Sequence, residues 1–123
     1  MDDKPVIDPS AISEPSSARE LRLRGYAQYT KGDYKASQED FEKAISIDAN
    51  DVEAVYGLGL ACKQLGDLKE SEKAFQQVLD LLRAGSVENL TRAKMLERLA
   101  KGHVNMITLG DWNLEKEIWK RTA

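Results

Sequence analysis

Cysteine is almost missing from this sequence: Cys62 is the only one among 123 residues. An internal disulfide is therefore excluded, which suits a reducing compartment and an expected cytoplasmic location. Histidine is as scarce. His103 stands alone, so the converging ligands that a zinc site needs are not on offer, and a place in a helix interface is expected for it instead. Proline occurs only at Pro5, Pro9 and Pro15, and the rest of the chain is free of the residue that breaks helices outright. No apolar run approaches the roughly 20 residues of a membrane span, and Met1-Asp2-Asp3-Lys4-Pro5 lacks the basic start of a secretory signal. The net charge of −3 gives no bulk attraction to nucleic acid or anionic lipid. There is no glycine-rich phosphate loop and no Ser/His/Asp set. These absences predict no cofactor, no metal, no nucleic-acid partner, no membrane insertion and no enzymatic activity.

What is present repeats itself. Residues 18–51 laid over 52–85 bring like onto like at a spacing of 34. Gly25 meets Gly59, Ala27 meets Ala61, and Gly32-Asp33 meets Gly66-Asp67. Lys35 meets Lys69, Ser37 meets Ser71, and Phe41 meets Phe75. A fixed period in this range marks a stacked repeat architecture, whose extended surface suits other polypeptides better than small substrates.

The local signals agree. Residues 1–17 hold all three prolines and a serine-rich end, and are expected to be a disordered leader. Ser17 with Glu20 makes a capping box that opens a first helix, predicted to run to about Lys31 and to end at Gly32. Asp33 caps the return helix, whose apolar stripe is Ala36, Phe41, Ala44, Ile45 and Ile47. Asp51 caps the next unit, which carries Val55, Leu58, Leu60, Ala61 and Cys62. Gly66-Asp67 turns the chain, Asp67 with Glu70 forms a second capping box, and the return helix presents Ala74, Phe75, Val78, Leu79 and Leu82 before stopping near Gly85. A third turn, Gly110-Asp111-Trp112, comes 44 residues after the second. The extra residues, about 86–95, predict a lengthened helix spanning roughly 87–109, with a short closing helix over 113–121 that places Trp119 at the offset of Phe41 and Phe75. Gly102 is expected at a close helix contact.

These residues resemble the tetratricopeptide repeat family over about 18–121. The small residues it asks for are Gly25, Ser37 and Ala44 in the first unit and Gly59, Ser71 and Val78 in the second, with Phe41 and Phe75 as the large aromatics. Small side chains let antiparallel helices approach, and the aromatic fills the gap to the next pair. Departures are Ser37 and Ser71 for alanine, Leu21 and Val55 for tryptophan, Ala49 for proline, and His103 at a position that is small elsewhere. The resemblance implies an all-α fold of about three helix pairs stacked in a right-handed superhelix, with units at 18–51, 52–85 and a divergent 86–123. It also implies a protein-interaction function, as an adaptor or co-chaperone-like scaffold.

Carrying over the family's groove positions gives Arg19, Arg22, Tyr26, Tyr29 and Thr30 from the first unit and Glu53, Tyr56, Leu60, Lys63 and Gln64 from the second. Glu97, Ala100, Val104, Ile107 and Thr108 follow in the third. Three tyrosines beside Arg19, Arg22 and Lys63 suit an extended peptide partner with acidic groups; alternatively, one or two of these tyrosines finish the helix core. The chaperone-tail clamp of some members is a poor match here, with Tyr26 and Gly57 where it asks for asparagine. Substituting Arg22 or Tyr26 is expected to abolish partner capture with helicity unchanged. The alternative function is self-assembly into a homo-oligomer through the lengthened helix or a surface at Trp112, Ile118 and Trp119. The other reading of the tryptophans is that both seal the end of the stack.

Overall fold

Each turn of this chain is written in two or three residues. Ser17, Asp33, Asp51, Asp67 and Asn89 stand just before helices, and each side chain accepts a hydrogen bond from the backbone N–H three residues on, at 3.0 to 3.2 Å. The computed structural model describes residues 17–110 and Trp112. Within them lie α1 (Ala18–Thr30), α2 (Tyr34–Ile47), α3 (Val52–Gln64), α4 (Leu68–Arg83) and α5 (Leu90–Leu109). Gly32 and Gly66 take φ of +85° and +83°, a left-handed backbone that lets the chain reverse within the Gly-Asp turns. Short turns fold α1 onto α2 and α3 onto α4 as helical hairpins. α2 then packs on α3, α1 also reaches α3, and α4 packs on α5. The fold is an all-α helical repeat.

The lengthened helix starts later than its sequence suggested. Residues 86–89 are not helical, because Gly85 ends α4 in a left-handed conformation and Asn89 caps α5 with an extended backbone. About half of the additional residues therefore make a loop, and the other half extend α5. Ile47 also departs from its expected place in the apolar stripe. It is the last residue of α2 and is 59% exposed. The leader (1–16) and the closing helix (113–121) lie outside the described residues.

Packing follows the repeat. Phe41, fully buried, lies over Gly25 of its own hairpin and over Gly57 of the next, so one ring joins two units. Phe75 lies over Gly59 in the same way. The serines that depart from the family pattern have a matching role: Ser37 Oγ donates to the Gly25 carbonyl (2.8 Å) and Ser71 Oγ to the Gly59 carbonyl (2.7 Å). Each buried hydroxyl is thereby satisfied across the hairpin it helps to close.

Gly57 gives a test in which the sign is informative. At an unconstrained helical site alanine is better than glycine by roughly 0.5–1 kcal/mol. At Gly57 a Cβ would run into the immobile Phe41 ring. Gly57→Ala is expected to destabilise by about 1–3 kcal/mol, and adding Phe41→Leu should recover part of the loss. A melt followed by circular dichroism decides it; a stabilised Gly57→Ala would mean that the ring does not occupy that space.

Candidate peptide-binding face

Side chains of α1, α3 and α5 meet one another directly, so the first helices of successive units share a face. Their polar groups divide into those already satisfied within the protein and those still facing outward.

Arg22 belongs to the first kind. Its Nη1 donates to both carboxylate oxygens of Asp51, at 2.8 and 2.7 Å. The Asp51 side chain is only 6% exposed. Tyr26 is also committed. Its hydroxyl donates to the Glu53 carbonyl, its ring meets Phe41 edge-on at 4.7 Å, and burial followed by the nearby Glu53 charge pushes its pKa up. Tyr26 packs against the core, as Tyr29 does beside the same cluster and Tyr56 beside the next. The Glu53 carboxylate is in turn paired with Arg92. Leu60, half-buried, packs against the cluster of Val52, Phe75 and Leu79.

Other predicted positions are exposed or half-buried. Arg19 is exposed at the start of α1. Tyr29, half-buried, lies edge-on to Tyr34 at 5.2 Å, and its hydroxyl accepts from Gln64 Nε2 at 3.4 Å. Tyr56 Oη lies 3.1 Å from His103 Nε2, and Lys63 Nζ lies 3.5 Å from His103 Nδ1. Burial, reinforced by the Lys63 charge, pushes the His103 pKa down to about 4. The imidazole stacks flat on Phe75 with ring centres 4.4 Å apart. His103 thus sits in a helix interface, as its isolation in the sequence suggested.

The third unit contributes less than its register predicted. Ala100 is fully buried, and Val104 and Ile107 pack on the core rather than presenting a groove. Thr108 is exposed but turns its hydroxyl onto the Val104 carbonyl (2.9 Å). Glu97 lies 4.0 Å from Lys101. At the other proposed surface, Trp112 is half-buried over Gly102, 5.0 Å from His103, and its carbonyl accepts from Asn105 Nδ2 at 2.9 Å. That ring packs inward. Ile118 and Trp119 lie outside the described residues.

Sequence reasoning missed several of these residues. Arg24 holds Asp40 with two hydrogen bonds, at 2.8 and 2.7 Å, and this bond to Asp40 raises the Arg24 pKa. Asp51 was legible as a cap but not as the acceptor for Arg22. Gly57 has no glycine opposite it in the first unit. A cleft of about 350 Å³ opens beside Arg22 and Arg92, but both guanidiniums there are paired and four carboxylates line the same space (Asp48, Asp51, Glu53 and Glu88). Among the described residues, no group of three or more His, Cys, Asp or Glu side chains is placed to hold a metal, and no helix is long and apolar enough to cross a membrane.

Helix hairpins stacked by a shared aromatic, with first helices lining one face, define a helical-repeat protein of the interaction class. Comparison with known proteins gives the family. A model described as TPR repeat matches residues 25–66, and one described as Tetratricopeptide repeat matches residues 52–81. Tetratricopeptide repeats thus occupy residues 25–81 of the chain. The chain resembles the crystal structure of MamA with a TM-score of 0.55 at 22% identity, covering 88% of this chain and 63% of that one, which supports the fold. A 65-residue stretch is 29% identical to Cellulose synthase 1 operon protein C of Komagataeibacter xylinus, and equally to Cellulose synthase operon protein C of Komagataeibacter sucrofermentans. The match covers 53% of this chain but only 5% of those relatives.

Proposed function

We propose that this chain is a non-catalytic scaffold that holds an extended segment or helix of a partner polypeptide against the face made by α1, α3 and α5. The observation that carries this reading is the row of half-buried aromatic and basic side chains, Tyr29, Tyr56 and Lys63, that remains on that face after Arg22 and Tyr26 are accounted for. Tyrosine gives large contact area at small entropic cost, and such residues concentrate binding energy. The buried thiol of Cys62, its pKa raised by burial, suits a reducing, cytoplasmic setting.

The test is an amide NMR titration with an arrayed set of synthetic peptides. Shifts centred on Tyr29, Tyr56 and Lys63 are expected, and Tyr29→Ala should weaken binding about tenfold while the helical circular dichroism is retained. Tyr26→Ala and Arg22→Glu are poor probes, since both break internal contacts and should lower stability. Shifts confined to other surfaces would overturn the reading. A second reading, self-assembly, has support from Met95, Met106 and Leu109, all exposed along α5. It predicts a mass that rises with concentration in sedimentation, reversed by Met106→Lys.

A further inference from the structure

We propose that Tyr56, Lys63 and His103 form a site that reads hydrogen-bond acceptors on an extended partner segment, taking a carboxylate at Lys63 Nζ and a main-chain carbonyl at Tyr56 Oη. The site presupposes the peptide-binding face described above and adds to it the chemistry of the ligand.

The direction of three contacts carries the argument. A lysine ammonium has donors and no acceptor. Lys63 Nζ sits against His103 Nδ1, so that nitrogen presents its lone pair; an N–H there would point at a positive charge. A neutral imidazole carries one N–H, which is therefore on Nε2. The charged, doubly protonated ring is disfavoured by its burial and by Lys63. Nε2–H then donates to Tyr56 Oη, 3.1 Å away. The hydroxyl acts as acceptor in that contact, and its own proton is left over for another group. Phe75, stacked under the ring at an interplanar angle of 7°, and Trp112, edge-on at 71°, hold the imidazole in this orientation.

Lys63 has a similar surplus. Among the described residues it makes no ion pair, and a ring nitrogen at 3.5 Å engages one of its three N–H bonds. The face thus keeps two donors without acceptors, although the protein as a whole is acidic. The donors contact different nitrogens of the imidazole ring, so a ligand that uses both must span two separate points. An extended peptide does, since its successive carbonyls and side chains are spaced by roughly 3.3 Å per residue. Arg22 and Tyr26 differ on this point, as Asp51 and the Glu53 carbonyl already accept from them.

Two experiments test the site in the full chain. Nitrogen-15 NMR of the His103 ring reports the tautomer without any ligand: Nε2–H is expected, and Nδ1–H would overturn the proposal. Binding is then measured with matched synthetic peptides: free acid against C-terminal amide, and internal glutamate against glutamine. Acid-bearing peptides should bind roughly tenfold tighter. Loss on amidation assigns the carboxylate to a chain terminus, and loss on the glutamine exchange assigns it to a side chain. Lys63→Gln should erase that preference, so that the acid-bearing peptides bind no tighter than their neutral counterparts. Tyr56→Phe, which keeps the ring, should weaken both kinds several-fold. Peptides that shift this face with no acid preference would overturn the site and leave the peptide-binding reading standing. Failure of every peptide to shift the face would overturn that reading, and the site with it.

Discussion

Replacing Phe41 with alanine should cost about 3–5 kcal/mol, the largest loss expected from any single substitution in this chain. The ring is fully buried and has no slack. It fills the space over Gly25 within the first hairpin and over Gly57 in the second. It also supports Tyr26, whose ring meets it edge-on. Truncation therefore opens a cavity at the junction of two units, between the backbones of Gly25 and Gly57. A small domain has on the order of 5–15 kcal/mol in total, so a loss of this size takes a large fraction of it. Urea denaturation followed by circular dichroism would read the effect directly. Ile47→Ala is the matched control. Its side chain lies on the surface, and a change within about 0.5 kcal/mol is expected. A Phe41→Ala loss below about 1 kcal/mol would mean that the units do not interlock through this ring.

Arg24→Ala should cost about 3 kcal/mol for an electrostatic reason. Arg24 on α1 grips Asp40 on α2 with two hydrogen bonds, and their side chains are 16% and 5% exposed. Removing the guanidinium leaves the Asp40 carboxylate in a site that water reaches poorly. An uncompensated buried charge is more expensive than the net worth of the pair that is lost, typically 3–5 kcal/mol. The double variant Arg24→Ala/Asp40→Ala separates these two effects, because it removes the stranded charge. It should be more stable than Arg24→Ala alone. If Arg24→Ala and the double variant unfold at the same urea concentration, Asp40 is solvated in the single variant and burial is not the cause.

The sequence showed the fold through repetition. Glycine, serine and phenylalanine recur at one spacing because each hairpin must solve the same packing problem, and the solution recurs with the unit. The caps were equally legible, since Ser17, Asp33, Asp51 and Asp67 act within three residues of themselves. Gly57 escaped because its partner position in the first unit is Leu23. Gly57 is small to accommodate an aromatic from the preceding hairpin, and no hairpin among the described residues precedes α1. Ala100 was misplaced because the offset that fits the first two units was carried into a third whose first helix has a different start.

The candidate face was legible only as a set of positions. Whether a tyrosine there finishes the core or faces a partner depends on contacts that have no period: Arg22 finds Asp51 29 residues away, and Tyr56 finds His103 47 residues away. The sequence by itself determined that the chain is all-α, where its hairpins turn and which aromatics join them, because those features rest on local capping and on neighbour packing that repeats. The tertiary structure alone decided that Arg22 is spent on Asp51, that Tyr26 belongs to the core, and that Tyr56 and Lys63 both meet His103. Hydrogen-bond donors are shared out by three-dimensional proximity among residues that occur only once.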